Sequence, residues 1–361
     1  MAKNSRISKA KAAKQHQQQY GIAEWYGHRF IDIPNAKRAE FLDVSNTKML
    51  CPFIAQVPAL GPKSGKRNCN KLGGICSLRN FQPPLQTGDD ITFGPITTTC
   101  PNRFLENGTI VEHIGKELLG SSKPHFAKEI PFLRRPKSPM AAQSTAEAET
   151  EGAEDDEAEA VKDPGHEDVG RIDLVFVHPE NREEWCAVEM QAVYFSGGAM
   201  SKDHENIRTY NGNSVPMPGK ARRPDFRSSG PKRLMPQLMI KVPTLRRWGK
   251  KMAVVIDKSF LDAMDPMERV DHISNCDIVW IVVSFDEGQE VGKAVLKIEQ
   301  TLYTTLEDAV KGLTAGQPTN LPEFEAKLSK GLKEALPAKL QQVSSGLPEL
   351  AAPVPMGLAN E

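Results

Sequence analysis

Four short apolar segments rich in β-branched residues constrain the fold of this chain more than any other feature. Their length and composition predict buried strands, and they lie at residues 172–178, 184–195, 251–257 and 277–285. Helical periodicity precedes, separates and follows them, at residues 105–119, 259–273 and about 288–335. This alternation predicts an α/β fold in which helices flank a mixed central sheet on both faces.

Three helical segments carry signals for their ends and breaks. Asn107 is the expected N-cap of the first helix. Residues 231–248 have helical spacing of apolar positions, but Pro236 and Pro243 interrupt it and leave helix formation open. Pro266 is expected to kink or restart the helix over 259–273.

Composition divides the chain into six regions. A basic arm and an acidic insertion, in which residues 147–159 hold eight acids and no base, lack the apolar residues for a core and are expected to be disordered. The expected regions are the basic arm 1–18, a loop-rich cysteine domain 19–104, the start of the core 105–136, the insertion 137–168, the core 169–312 and a helical, Pro/Ala-rich tail 313–361.

The cysteines need an explanation other than disulfides. No apolar run reaches the roughly 18 residues of a membrane span, and the N-terminus lacks the apolar region of a secretory signal, so we expect a cytoplasmic protein, where disulfides are rare. Two of the six cysteines, Cys186 and Cys276, are expected to be buried core thiols.

The other four cysteines follow the spacing C-x17-C-x6-C-x23-C and are Cys51, Cys69, Cys76 and Cys100. Proline follows the first and the last of them, and the region has little else to hold it together. Four thiolates form a closed tetrahedral shell typical of structural zinc or iron. His28 or His113 can replace one thiol, and the alternative is four unrelated buried thiols.

Two carboxylates lie in adjacent apolar strands. Asp173 is in the segment 172–178, and fifteen residues separate it from Glu189, with Gln191 two residues further on and expected on the same strand face. Buried carboxylates are costly unless they are paired or bind a cation, and their oxygens suit Mg²⁺, which activates water for phosphodiester hydrolysis.

This arrangement is typical of D-x(n)-[DE]-x-K nucleases, with glutamine where lysine is usual. The alternative is that both carboxylates lie at strand ends, exposed or paired with Arg171 or Arg182.

Charge is segregated along the chain, although the formal net charge is zero. Residues 220–251 hold eleven bases and one acid, a pattern that favours a polyanionic partner such as DNA over a solvated charged surface. The candidate DNA contacts are Arg222, Arg223, Arg227, Lys232, Arg233, Gln237, Arg246 and Arg247.

Six segments together resemble the NotI family of restriction endonucleases. They are IAEWYGHRF (22–30), LCPF (50–53), NCNKLGGIC (68–76), TCPNRFLE (99–106), VEMQAVYFSGGAM (188–200) and GPKRLMPQLMIKV (230–242). The resemblance implies a PD-(D/E)XK nuclease-like core with a small loop-rich N-terminal metal-binding domain. It also implies Mg²⁺-dependent hydrolysis by a homodimer acting on palindromic duplex DNA.

Carried over residue by residue, the resemblance implies that Asp173, Glu189 and Gln191 are catalytic, with Asp173 and Glu189 holding Mg²⁺. Glu167 and Asp168 are nearby alternatives to Asp173. The four cysteines named above would hold iron. The family also has glutamine where the nuclease pattern has lysine.

The expected function is that of a site-specific, type II-like restriction endonuclease, with a cognate DNA methyltransferase as a candidate partner. Two alternatives remain: a nuclease of another defence or mobile-element system, and a non-catalytic DNA-binding module.

Overall fold

The structure is a computed structural model. It describes residues 19–43, 49–57, 68–69, 71, 73–82, 91–136, 166–196, 207, 210, 222–314, 316 and 319–332. The basic arm expected at 1–18 and residues 137–165 of the expected insertion lie outside the described residues. The chain divides into two compact units, Met1–Ala315 and Gly316–Glu361.

A small antiparallel sheet, here called the N-terminal sheet, opens the first unit. Its strand order is β2-β1-β3-β4, and the strands are β1 (Gln19–Trp25), β2 (His28–Arg29), β3 (Ile75–Gln82) and β4 (Thr92–Thr98). Short helices accompany it: 3-10 turns at Phe30–Asp32 and Pro101–Gly108, α1 (Asn35–Asp43) and α2 (Pro52–Gln56).

A six-stranded central sheet forms the rest of this unit, in the order β12-β11-β10-β7-β6-β5. Its strands are β5 (His125–Pro136), β6 (His166–Val177), β7 (Trp185–Met190), β10 (Met252–Asp257), β11 (Ile278–Asp286) and β12 (Val295–Thr304). Strand β10 runs parallel to β7 and β11, and the other pairs are antiparallel. A two-residue ladder joins β8 (Phe195–Ser196) to β9 (Arg223–Pro224).

Helices cover both faces of the central sheet, because the buried strands are apolar on both sides. On one face, α3 (Thr109–Leu119) packs through Ile110 and Ile114. On the other lie α5 (Met235–Arg247) and α7 (Leu306–Thr314). This mixed α/β architecture with flanking helices confirms the predicted fold class at that level.

The remaining elements of the first unit are short. They are α4 (Phe226–Ser229), a π-helical turn at Gly230–Leu234, α6 (Lys258–Asp262) and a 3-10 turn at Ile273–Asn275. The second unit contributes α8 (Leu321–Gly331). No helix among the described residues is long and apolar enough to cross a membrane.

Several predicted boundaries are wrong. Asn107 has a positive φ of 52° within the 3-10 turn, so α3 starts at Thr109 with Gly108 as its N-cap. The helix expected at 259–273 is only α6, which ends before Pro266. Strand β12 lies where helix was expected, because it pairs with β11 along nearly its full length. Strand β6 begins at His166, within the expected insertion.

A fully buried arginine joins the two sheets. The Nε of Arg103 donates to Glu24 Oε2 of β1 at 2.8 Å, and its Nη1 donates to Glu106 Oε2 at 2.9 Å. Its guanidinium lies 4.5 Å from the ring of Phe285 in β11. Glu106 in turn accepts the backbone N–H of Leu296 in β12. Arg103 is thus the shared counter-charge of two buried carboxylates, Glu24 and Glu106.

Replacing Arg103 with methionine should therefore destabilise the protein strongly. Glu24 and Glu106 would stay buried without a counter-charge, at a cost of about 3–5 kcal/mol. Urea unfolding at constant pH measures the change in free energy. Lys258→Met, which removes the exposed partner of Asp262, is the control and should leave the midpoint unchanged. An Arg103→Met protein as stable as the wild type would contradict this role.

Candidate active site

The ladder between β6 and β7 places the two predicted carboxylates side by side. Its last register pair is Leu174 with Val188, so Asp173 and Glu189 come next, one on each strand. The backbone N–H of Met190 donates to Asp173 Oδ2 at 3.1 Å, which ties the aspartate to the strand that carries Glu189. The structure thus brings these two predicted residues together.

Helix α5 covers these carboxylates because it runs back along β7. At its far end, the ring of Trp248 lies 6.2 Å from that of Trp185, the first residue of β7. At the other end of β7, Lys241 Nζ donates to Glu189 Oε1 and, at 3.0 Å, to Gln237 Oε1. Both Glu189 and Lys241 are buried, at 2% and 4% exposed.

The electrostatics of the pair favour a bound cation. Burial and the charge of Asp173 raise the pKa of Glu189 to about 7, while Lys241 acts in the opposite direction. Burial also raises the pKa of Asp173, against the hydrogen bond from Met190 and the charge of Lys241. Two crowded carboxylates with one ammonium leave a local excess of negative charge, and their oxygens are the ligand type that Mg²⁺ prefers.

Gln191 lies just beyond strand β7, so the strand face predicted to carry both Glu189 and Gln191 ends before it. Strand β7 ends at Met190, so the alternation of faces stops there. The backbone N–H of Gln191 donates to Val255 O at 3.0 Å, and its side-chain Nε2 donates to Ala192 O at 2.6 Å. Gln191 remains next to the carboxylates in sequence, but its amide nitrogen is directed to the backbone.

Two nearby charged residues, Arg171 as an alternative partner of the carboxylates and Asp168 as an alternative to Asp173, pair with other residues. Arg171 Nη1 lies 3.5 Å from Glu129 Oε2, and Asp168 pairs with Arg134 at 3.2 Å. The partner of Glu189 is instead a lysine fifty-two residues along the chain.

Backbone contacts gather the four predicted cysteine ligands. The residues preceding Cys51 and Cys69 form an antiparallel β-bridge. The N–H of Cys100 donates to Cys76 O at 3.2 Å. Burial raises the pKa of Cys69 to about 11, and the nearby Cys51 and Cys100 add to the rise. The four thiols therefore form one neighbourhood beside the N-terminal sheet.

The thiol side chains are not arranged as a metal site. Cys69 Sγ donates to Lys71 O at 3.7 Å, and Cys76 Sγ donates to Gly74 O at 3.6 Å. In the part of the chain that the structure describes, no group of three or more His, Cys, Asp or Glu side chains is placed to hold a metal. The donor set suits zinc or iron, but binding requires loss of the thiol protons that make these contacts.

The two histidines considered as replacements for a thiol have other contacts. His113 Nε2 is 2.8 Å from Thr301 Oγ1 on β12, and the ring of His28 lies 5.8 Å from that of Phe41. Cys186 and Cys276 are buried, as predicted for core thiols.

The basic stretch divides into two parts. Arg223, Arg227, Lys232 and Arg233 are exposed. The guanidinium of Arg233 lies 4.9 Å from the ring of Tyr194, just beyond strand β7. Gln237 lies between this group and Lys241 on α5. Arg222 is buried.

The far end of α5 is engaged in other contacts. Arg246 binds Asp277, with its Nη2 at 2.5 Å from Oδ2, and also Glu307 at 3.2 Å. Arg247 donates to Thr244 Oγ1 at 2.9 Å. These two predicted DNA contacts therefore do not join the group near Tyr194.

The comparison with protein families decides the relationship. A family model described as Restriction endonuclease NotI matches residues 38–296, well over half of the chain. The chain belongs to the NotI restriction endonuclease family. This confirms the resemblance noted in the sequence. The NotI family comprises restriction endonucleases, which are hydrolases that cleave duplex DNA. Among curated proteins, no significant relative matches the chain.

The NotI-family match includes the four cysteines, the carboxylate pair and α5. It also includes buried Lys241, which the sequence patterns did not identify as a candidate site residue. Lys241 lies on the apolar stripe of α5, three residues after Leu238 and four before Leu245, both buried. A lysine on such a stripe is a usable signal, because an unpaired buried ammonium is costly. The prolines in this segment hid the helix and so hid the stripe.

Proposed function

We propose that this protein is a site-specific, type II-like restriction endonuclease that hydrolyses phosphodiester bonds of duplex DNA with Mg²⁺. We further propose that Asp173, Glu189 and Gln191 form its active site on a PD-(D/E)XK nuclease-like core. It would act in the cytoplasm as a homodimer, with a cognate DNA methyltransferase as a candidate partner. The observation that carries the proposal is the adjacent pair of half-buried Asp173 and buried Glu189 in a chain of the NotI family.

The chemistry assigns each residue a part. Asp173 and Glu189 would hold Mg²⁺, which when bound activates water and stabilises charge on the phosphate. Met190 fixes the orientation of Asp173 through its N–H. The Oε1 of Gln191 is an acceptor that orients the attacking water. Its amide is neutral and supplies no positive charge.

DNA binding is assigned to the basic residues near this site. Arg223, Arg227, Lys232 and Arg233 are exposed beside the strand that leaves the carboxylates, where they would contact phosphates or base edges. Gln237 extends the same helix face towards the carboxylates. The other predicted contacts, Arg222, Arg246 and Arg247, have partners within the protein and are not assigned to this group.

A structural metal is the second part of the proposal. Cys51, Cys69, Cys76 and Cys100 would bind one iron or zinc as thiolates. Their backbone proximity and the sulfur donor set support this assignment, and the family resemblance favours iron.

Two other functions are distinguished by one experiment. A plasmid is incubated with the protein in Mg²⁺ or in EDTA. Discrete bands in Mg²⁺ alone support a site-specific endonuclease, whereas a smear indicates a nonspecific nuclease of another system. Binding without cutting indicates a DNA-binding module and overturns the proposal.

Asp173→Asn and Glu189→Gln should abolish cleavage. Each variant keeps the shape of its side chain but removes a charged ligand, so we expect a loss of more than about a thousandfold in single-turnover rate. Binding of cut-site DNA in Ca²⁺, measured by gel shift, should persist because the basic contacts are unchanged. Asp262→Asn, at an exposed position of α6, is the matched control and should cut normally. If Glu189→Gln cuts at a near wild-type rate, the active site is misassigned.

Removing one cysteine ligand should release the structural metal. Elemental analysis of protein purified without added metal should find about one iron or zinc per chain in the wild type. Cys76→Ser should lose most of it and melt at lower temperature, because binding energy at a structural site is folding energy. Cys186→Ala, a core thiol away from the cluster, should retain it. Active wild-type protein with less than about 0.2 metal per chain contradicts this assignment.

A further inference from the structure

The active site contains a cation that the nuclease pattern does not specify. In that pattern a lysine stands two residues after the second carboxylate, and here that position is Gln191. Gln191 is neutral, and its Nε2 donates to Ala192 O at 2.6 Å. The strand therefore supplies no positive charge to the carboxylate pair.

Helix α5 supplies one instead. Among the residues that the structure describes, Lys241 is the only buried lysine, and its Nζ contacts Glu189 Oε1. An ammonium has three donor hydrogens. Glu189 and Gln237 accept two of them, which leaves one donor for a further acceptor at the carboxylates.

Folding stability alone does not account for the buried ion pair between Lys241 and Glu189. Lys241 lies on the apolar stripe of α5, between Leu238 and Leu245, where an apolar side chain would avoid the cost of dehydrating an ammonium. A buried ion pair contributes little net stability compared with apolar residues at both positions, although loss of Lys241 alone would leave Glu189 buried without its partner. A positive charge kept here at that cost, beside two candidate metal ligands, indicates a role in the reaction.

We propose that Lys241 is a catalytic residue that supplies, from helix α5, the cation missing at Gln191. The inference rests on the proposed function. In hydrolysis, a water oxygen bonds to phosphorus as the bond from phosphorus to one ester oxygen breaks. The water gives a proton to solvent, and the leaving oxygen takes one up. The third donor of Lys241 binds a phosphate oxygen or the attacking water and stabilises the negative charge that develops there.

The test compares Lys241→Met with Lys241→Met/Gln191→Lys, which returns a lysine to the strand. Single-turnover cleavage in Mg²⁺, DNA binding in Ca²⁺ and melting temperature are measured for each. Lys241→Met should cut at least about a hundredfold more slowly, as expected for loss of one charged donor, and should still bind DNA. The double variant should regain about tenfold or more in rate without regaining the wild-type melting temperature.

The outcomes separate this inference from the proposed function. If the wild type does not cut, both fall. If the wild type cuts and Lys241→Met cuts within about fivefold of it, only the role of Lys241 is overturned. Recovery of rate and melting temperature together in the double variant would make Lys241 structural and overturn its catalytic role. Lys311→Met, at an exposed position of α7, is the control and should cut normally.

If Lys241→Met does not fold, Lys241→Arg carries the test, because it keeps the charge opposite Glu189. The planar guanidinium cannot present the compact donor of an ammonium, so cleavage should fall about tenfold or more at an unchanged melting temperature. Wild-type cleavage by Lys241→Arg would overturn the proposed donor role.

Discussion

The burial of Glu189 at the end of β7 is the constraint on which the site depends. A carboxylate in an apolar sheet needs a cation or a hydrogen-bond donor, and the structure supplies Lys241 from α5. That contact requires α5 to lie along β7, and the packing of Trp248 on Trp185 keeps it there. Burial also raises the pKa of Glu189, because the charged form of a carboxylate is disfavoured in an apolar surrounding. A divalent cation would stabilise that charged form.

The N-terminal sheet holds the chain where it leaves this site. Thr98, the last residue of β4, accepts the N–H of Val193 at 2.8 Å. It donates its own N–H to Asp257 Oδ2 at 2.6 Å. Cys100 follows two residues later, and its backbone N–H donates to the carbonyl oxygen of Cys76. Backbone hydrogen bonds therefore link the cysteine region to the segment after Glu189, so a metal bound to the cysteines would also stabilise the chain where it leaves the carboxylate pair.

Local sequence was enough to predict what depends on neighbouring residues. Apolar, β-branched runs predicted β10 and β11, and the polar exceptions in two other runs identified Asp173 and Glu189. Long-range contacts decided the rest. Strand β7 ends at Met190 because Val193 bonds to Thr98 rather than continuing the ladder. Lys241 was missed because the prolines hid the apolar stripe on which it lies, and its pairing with Glu189, fifty-two residues away, is a long-range contact.

The most direct test is the position of the divalent cation in a crystal of the protein with DNA that it cuts. Ca²⁺ in place of Mg²⁺ would keep the DNA intact. The account predicts Ca²⁺ bound by Asp173 and Glu189, with the scissile phosphate beside it and Lys241 Nζ within hydrogen-bond distance of the phosphate or its attacking water. A phosphate and cation held elsewhere, with Lys241 still closed on Glu189, would contradict it.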